Sequence, residues 1–441
     1  MMRRMTFISL LFLFLHSITL SAQPRQGLPF PVSEHTLKNG LKVILSEDLS
    51  LPLVSVVVAY HVGSINEKPG QSGLAYLLEN LMFQGSENVG RMQHISLIRR
   101  VGGVMNAATS VDRTLFYQTV PSNQLALVLW LESDRMKSLE LSASNVERVK
   151  KALIDEIRQR KTADPYLESS IIFDQQLFPD FAHSHPVFGS EQDLREITLD
   201  DVREFHSTYY RPNNAVLSIS GNIDKKKTLD LVHKFFASIP AGEELNLYHP
   251  IPFPERKAVV KTYEGSFASL PAFYLGYPLA PPYSDDYFSL KIIEYILLRG
   301  KTSRLYKRLI KRDRTAFDMN GGIEERRDWA GFKIFVVSTN ETLLERSKKA
   351  VFSEISRLKT GIIPEEEMKK SKSLFRLDYI KQYATSMDRA IFLAENYFIH
   401  NKIDNSLEAL EKYLSVTPSE IAGVMNKYFT HQSVLLHVKI K

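Results

Sequence analysis

Apolar positions along the chain recur with two periods, and the switches between them mark out strands and helices. From Glu34 to Tyr60 the pattern is that of strands: His35 to Ile44 reads as a hairpin turning at Asn39-Gly40, and Leu53 to Tyr60 is a β-branched run. Leu74, Leu77, Leu78, Leu81 and Met82 then line one face of a helix opened by Gly70-Gln71-Ser72-Gly73, with Ser72 placed to cap it. Further helices are predicted at about 91–101, 122–140 and 145–161. The last begins Ser144-Asn145-Val146-Glu147, the spacing of a capping box, and strand signals at 104–120 separate the first two.

The pattern repeats. Ile197-Thr198-Leu199-Asp200-Asp201-Val202, Tyr209-Tyr210 and Ala215 to Ile219 are echoed by Val416-Thr417-Pro418-Ser419-Glu420-Ile421, Tyr428-Phe429 and Ser433 to His437. Thr198 to Thr417 and Tyr209 to Tyr428 both span 219 residues. Each copy reads as a capped amphipathic helix followed by a strand, and a shared spacing over this length favours duplication. Pro240, Pro250, Pro252 and Pro254 mark the linker between the copies. The expected fold class is α+β, with two homologous domains at 28–240 and 255–441, each an antiparallel-rich sheet backed by helices.

Composition narrows the chemistry. With 441 residues, 44% of them apolar, the chain can build more than one core. It has no cysteine, which removes disulfides, thiolate nucleophiles and Cys-ligated metals, so any metal must use His, Asp or Glu. Arg3 and Arg4, the apolar run Phe7 to Leu15 and the small-residue exit Thr19-Leu20-Ser21-Ala22 read as a secretion signal over residues 1–22. Its loss would take the net charge from +6 to +4, too mild to suggest nucleic-acid binding, and no later segment is long and apolar enough to span a membrane. A secreted or periplasmic protein is expected.

The segment Gly63-Ser64-Ile65-Asn66-Glu67-Lys68-Pro69-Gly70-Gln71-Ser72-Gly73-Leu74-Ala75-Tyr76-Leu77-Leu78-Glu79-Asn80-Leu81 resembles the signature of the pitrilysin, insulinase and mitochondrial processing peptidase family of inverted-motif zinc peptidases. The hairpin at Asn39-Gly40, the strand Asn106 to Asp112, the turn Tyr210-Arg211-Pro212-Asn213-Asn214-Ala215 and Ser303-Arg304-Leu305 resemble further landmarks, so the likeness runs from about residue 28 to the C-terminus. The resemblance implies a His-x-x-Glu-His helix and a Glu from a later helix around zinc. Here the two His positions hold Tyr76 and Asn80, Glu79 stands at the general-base position, Glu156 at the third ligand, and Val149 where the family has an auxiliary Glu.

A phenol and an amide are poor zinc ligands, and one carboxylate does not hold the ion. No metal is therefore expected in this chain. For Tyr76 and Asn80 helix-surface packing is the plain reading, and for Glu79 and Glu156 solvated or ion-paired carboxylates. His183 and His185 could face one point, though loop packing is favoured, and His61 is a partial candidate.

In two-chain members of the family the zinc-free subunit orients substrate through an Arg and a Tyr, positions that fall here on Ile310 and Phe317, with Arg308, Arg312 and Arg314 nearby. The resemblance also implies backbone pairing of a peptide substrate with an edge strand, so Asn106, Ala107, Thr109 and Phe317 are the candidate substrate-binding residues. The expected function is an exported, non-catalytic subunit that assists proteolysis by a zinc-bearing homologous partner. A stand-alone peptide-binding or assembly protein and a metallopeptidase with unusual ligands are the alternatives.

Overall fold

The computed structural model describes residues 30–178, 180–245, 257–282, 284–400, 403 and 406–441. The expected secretion signal over residues 1–22 and the linker prolines Pro250, Pro252 and Pro254 lie outside the described residues.

The first sheet is built from β1 (Ser33–Thr36), β2 (Lys42–Glu47), β3 (Leu53–Tyr60), β4 (Val104–Thr109), β5 (Thr114–Pro121) and β6 (Ala215–Gly221), in the order β1-β2-β6-β3-β5-β4. Its pairs are antiparallel except β2 with β6. Its helices are α1 (Leu74–Leu81), α2 (Gln93–Arg100), α3 (Leu125–Lys137), α4 (Ala143–Ala163), α5 (Leu167–Leu177), α6 (Phe181–Ser184), α7 (Glu191–Glu196), α8 (Leu199–Tyr209) and α9 (Lys225–Phe236).

The second sheet holds β7 (Val259–Gly265), β8 (Ala272–Leu279), β9 (Asp318–Glu325), β10 (Ala330–Val337) and β11 (Val434–Ile440), ordered β7-β11-β8-β10-β9, again with one parallel pair, β7 with β11. With it go α10 (Asp286–Leu297), α11 (Glu341–Lys359), α12 (Glu365–Lys381), α13 (Ser386–His400), α14 (Ser406–Ser415) and α15 (Pro418–Tyr428). The second sheet repeats the topology of β2 to β6, with β1 an addition to the first, and the expected duplication is present: Thr198 and Thr417 both cap their helices through reciprocal capping boxes with Asp201 and Glu420.

Two expected caps fall elsewhere. Ser72 does not cap α1, because Asp193 accepts from both its backbone N–H and its hydroxyl. The N-cap is Gly73, at a φ of 93°, where an added Cβ would sit 2.9 Å from the Phe188 carbonyl oxygen. Likewise α4 starts one residue before Ser144, and Ser142 is the cap, its hydroxyl accepting from the Asn145 N–H.

Each sheet buries one face under helices of its own half and the other under a helix from the opposite half. Val43, Val56 and Val58 point into the first core, while Ile44, Val57 and Ala59, on the other face, pack into the second-half core beneath α13. In return α5 sends Phe173 and Leu177 onto the back of the second sheet, against Ala272, Tyr274 and Leu436. Gly276 and Gly331 make room there: a Cβ at either would lie 2.5 Å from Phe173 or 2.7 Å from Leu177. Burying two such side chains contributes roughly 4 kcal/mol.

Hairpin turns hold the exchanged segments. Arg113, in the β4–β5 turn, donates to Glu395 of α13 at 2.7 Å, and Arg326, in the β9–β10 turn, donates to the His183 carbonyl at 3.3 Å. His61 stacks on Phe398 at this junction, and burial brings its pKa down to about 4. No helix among the described residues is long and apolar enough to cross a membrane.

Candidate functional site

The approach to α1 is fixed before the helix begins. Glu67 is buried, and its carboxylate accepts from the Gly73 and Ala75 N–H groups, both at 2.8 Å, satisfying two donors of the first turn. Burial raises its pKa, and the hydrogen bond from the His185 ring at 2.8 Å opposes that rise. His185 also stacks on Phe181, while His183 lies between Asp180 and Asp328 against Trp329. The two imidazoles thus belong to a helical turn with different partners, and they brace α1 and the junction between halves.

Along α1 the side chains meet two neighbours. On one side Glu79, buried, accepts a 2.5 Å hydrogen bond from the Thr109 hydroxyl of β4, which joins two residues chosen on separate grounds. Burial raises the Glu79 pKa against the effect of that bond, and the nearby Glu156 charge adds to the rise. On the other side the Tyr76 hydroxyl donates to both oxygens of Glu156, at 3.1 and 3.3 Å. Burial pushes the Tyr76 pKa up, and the Glu156 charge pushes it further, so the phenol stays protonated.

Arg160, one turn beyond Glu156 on α4, donates to Glu156 Oε1 through Nε at 2.9 Å and Nη2 at 2.6 Å. Its guanidinium stacks over Phe188, 5.3 Å from the ring centre. Sequence reasoning missed this residue, although the Glu156-x-x-x-Arg160 spacing on a helix was legible. Asn80 turns its amide back to the Tyr76 carbonyl at 2.9 Å, and Val149 is buried in the core.

Zinc catalysis takes three protein ligands and an open position. The residues present do not fit the ion: two imidazoles are replaced, and Glu156 is bridged by a phenol and a guanidinium. No group of three or more His, Asp or Glu able to hold a metal occurs among the described residues.

The other candidates lie at strand edges. Among the described residues β4 is the outer strand of the first sheet, with one side of its backbone open to pairing. Asn106 is exposed and accepts from the Ala107 N–H at 2.9 Å, while Ala107 and Thr109 face the α1 side. Phe317, 68% exposed, stands just before β9, the outer strand of the second sheet. Ile310 sits in a π-helical turn, Tyr306–Arg312. Arg308 pairs with Glu354 and Asp313, Arg312 pairs with Asp313, and Arg314 is exposed at a φ of 49°.

This architecture, two sheets sharing a five-strand topology with α1 lying along an edge strand, is a peptidase fold of the insulinase type. Residues 42–176 match the profile described as Insulinase (Peptidase family M16), and residues 196–375 match Peptidase M16 inactive domain. The chain belongs to this family, as a member degenerate at the metal-binding positions.

It is 29% identical over 427 residues to the zinc protease PqqE of Helicobacter pylori, covering 93% of this chain and 94% of that protein. To the uncharacterized zinc protease YmxG of Bacillus subtilis it is 20% identical, covering 92% and 97%. A crystal structure of a protease from Helicobacter pylori superposes with a TM-score of 0.87 at 27% identity, over 93% of this chain and all of that one. The periplasmic protease PqqL of Escherichia coli shares the fold at 16% identity and a TM-score of 0.75, this chain spanning 48% of that one.

Proposed function

We propose that this protein is an exported, zinc-free member of the family that binds unfolded peptide and assists cleavage by a zinc-bearing homologous subunit. The observation that carries the reading is the Tyr76–Glu156–Arg160 bridge, which spends the remaining ligand-type carboxylate on protein donors. The open edge of β4 supports a retained role in holding extended peptide by backbone pairing. Phe317, exposed beside β9, offers an aromatic surface to the same strand or to the partner. Export rests on the basic, apolar and small-residue pattern of residues 3–22.

The test is metal content and peptide cleavage by the purified chain, alone and after mixing with a homologue that carries an intact His-x-x-Glu-His helix. The expected result is no stoichiometric zinc alone and an increase in the homologue's activity on mixing. Zinc near one per chain with chelator-sensitive cleavage would overturn the reading in favour of an unusual metallopeptidase. Peptide binding without any effect on the homologue would replace the subunit by a stand-alone binding protein.

A further inference from the structure

In the helical layer of the second half, the π-helical turn Tyr306–Arg312, the end of α11 and the start of α12 line an open pocket of about 780 Å³. Its wall carries six cations, Arg304, Lys307, Arg308, Arg312, Arg357 and Lys370, against the carboxylates Glu354, Glu366 and Glu367. Some of these charges are neutralised within the wall. Arg304 chelates Glu367, and Arg308 and Arg357 share Glu354, while Asp313 takes a second contact from Arg308 and one from Arg312.

The remainder, Lys307 and Lys370 against the one carboxylate Glu366, is unbalanced towards positive charge. Lys307 is exposed and has no carboxylate partner among the described residues, and Lys370 reaches only the Thr302 carbonyl, at 2.8 Å. Arg304, whose side chain is 9% exposed, uses Nε and Nη2 on Glu367 and leaves Nη1 buried with no hydrogen-bond partner among the described residues. Burial, then the Lys307 charge, holds Lys370 below the ordinary lysine pKa despite Glu367. Like charges crowded around a concave space are relieved by an anion, and π-helical turns recur at functional sites.

We propose that this pocket is a binding site for a multiply charged oxyanion of the phosphate class, held between Lys307 and Lys370 with Arg304 behind them. A guanidinium and two ammonium groups match a tetrahedral oxyanion, and the volume admits a group larger than a single phosphate. Arg308 and Arg357 keep Glu354 neutralised, so the approaching anion meets a net positive wall. The proposal is independent of the peptide-binding role.

The experiment is isothermal titration of the full chain with inorganic pyrophosphate at low salt, alongside co-sedimentation with phosphatidylglycerol vesicles. Saturable binding of one pyrophosphate per chain is expected, weakened about tenfold by Lys307→Glu and by Lys370→Gln. Lys226→Glu, an equal charge change at an exposed site on α9, should leave it unchanged. Vesicle binding without pyrophosphate binding, lost in the same two variants, would support the site and assign the oxyanion to a lipid headgroup. No binding in either arm, or equal weakening by Lys226→Glu, would overturn the proposal. Circular dichroism melts of each variant separate loss of the site from loss of the fold.

Discussion

The helices α1 and α10 occupy matching places in the two halves, and their carboxylates have met different fates. Glu79 and Glu294 each stand six residues before a glycine at positive φ, Gly85 and Gly300, and each faces an edge strand. Glu79 meets a hydroxyl donor, Thr109, while Glu156, Tyr76 and Arg160 lie half-exposed beside it. Glu294 is fully buried, clamped by Arg299 at 2.6 Å and Lys291 at 3.0 Å, beside Gly322, which has no side chain to offer. One copy keeps an open polar surface next to an edge strand, and the other has turned the same position into an internal ion cluster. A duplicated frame tolerates either outcome, because the sheets and their covering helices carry the stability.

Separating the halves should have the largest effect on this comparison. Residues 30–245 and 257–441 expressed apart would each expose the sheet face that α13 or α5 covers, so neither should show a cooperative melt, whereas mixing should restore one. Two independently folding halves would mean the exchanged helices contribute little.

Rebuilding the ligands would sharpen the contrast next. Tyr76→His with Asn80→His should create a zinc site with Glu156, and adding Arg160→Ala should tighten it by a few-fold, because a half-exposed ion pair competing for the carboxylate contributes up to about 1 kcal/mol. The matching pair Lys291→His and Tyr295→His on α10 should bind zinc more weakly, as measured by metal analysis, since Glu294 matches Glu79 at the general-base position and not the ligand Glu156.

Glu294→Ala should cost about 2 kcal/mol in denaturant unfolding, because it leaves the largely buried Lys291 with only Glu325 and frees the half-exposed Arg299. The smallest effect belongs to Glu79→Gln. A carboxyl whose folded pKa is raised loses its stabilising contribution as pH climbs from the ordinary carboxylate range through the raised value. The variant should therefore be more stable than the native chain by about 1 kcal/mol at pH 7 and equal to it near pH 4. Equal stabilities at both values would show that Thr109 fully compensates the burial.

Much of this was legible residue by residue. The strand run Leu53–Tyr60 and the helix stripe from Leu74 to Leu81 follow from local periodicity, and the 219-residue spacing of Thr198 and Thr417 disclosed the duplication. The caps were misread at Ser72 and Ser144, because both start signals depend on what else competes for the hydroxyl or sets the first turn. Glu67, 118 positions from the histidine it accepts from, and the Glu79–Thr109 contact could not be paired from one sequence, since many carboxylates and donors are equally available along the chain.

By itself the sequence determined which side chains stand on α1 and α4, and so the ligand count: no imidazole at Tyr76 or Asn80 and one carboxylate at Glu156. That is a matter of residue identity and helical period, which no packing alters. Only the tertiary structure decided that Arg160 and Tyr76 would close on Glu156, that β4 would remain an open edge, and that α5 and α13 would change places. Those outcomes depend on which surfaces meet across hundreds of residues, where shape and charge are matched only after the chain has folded.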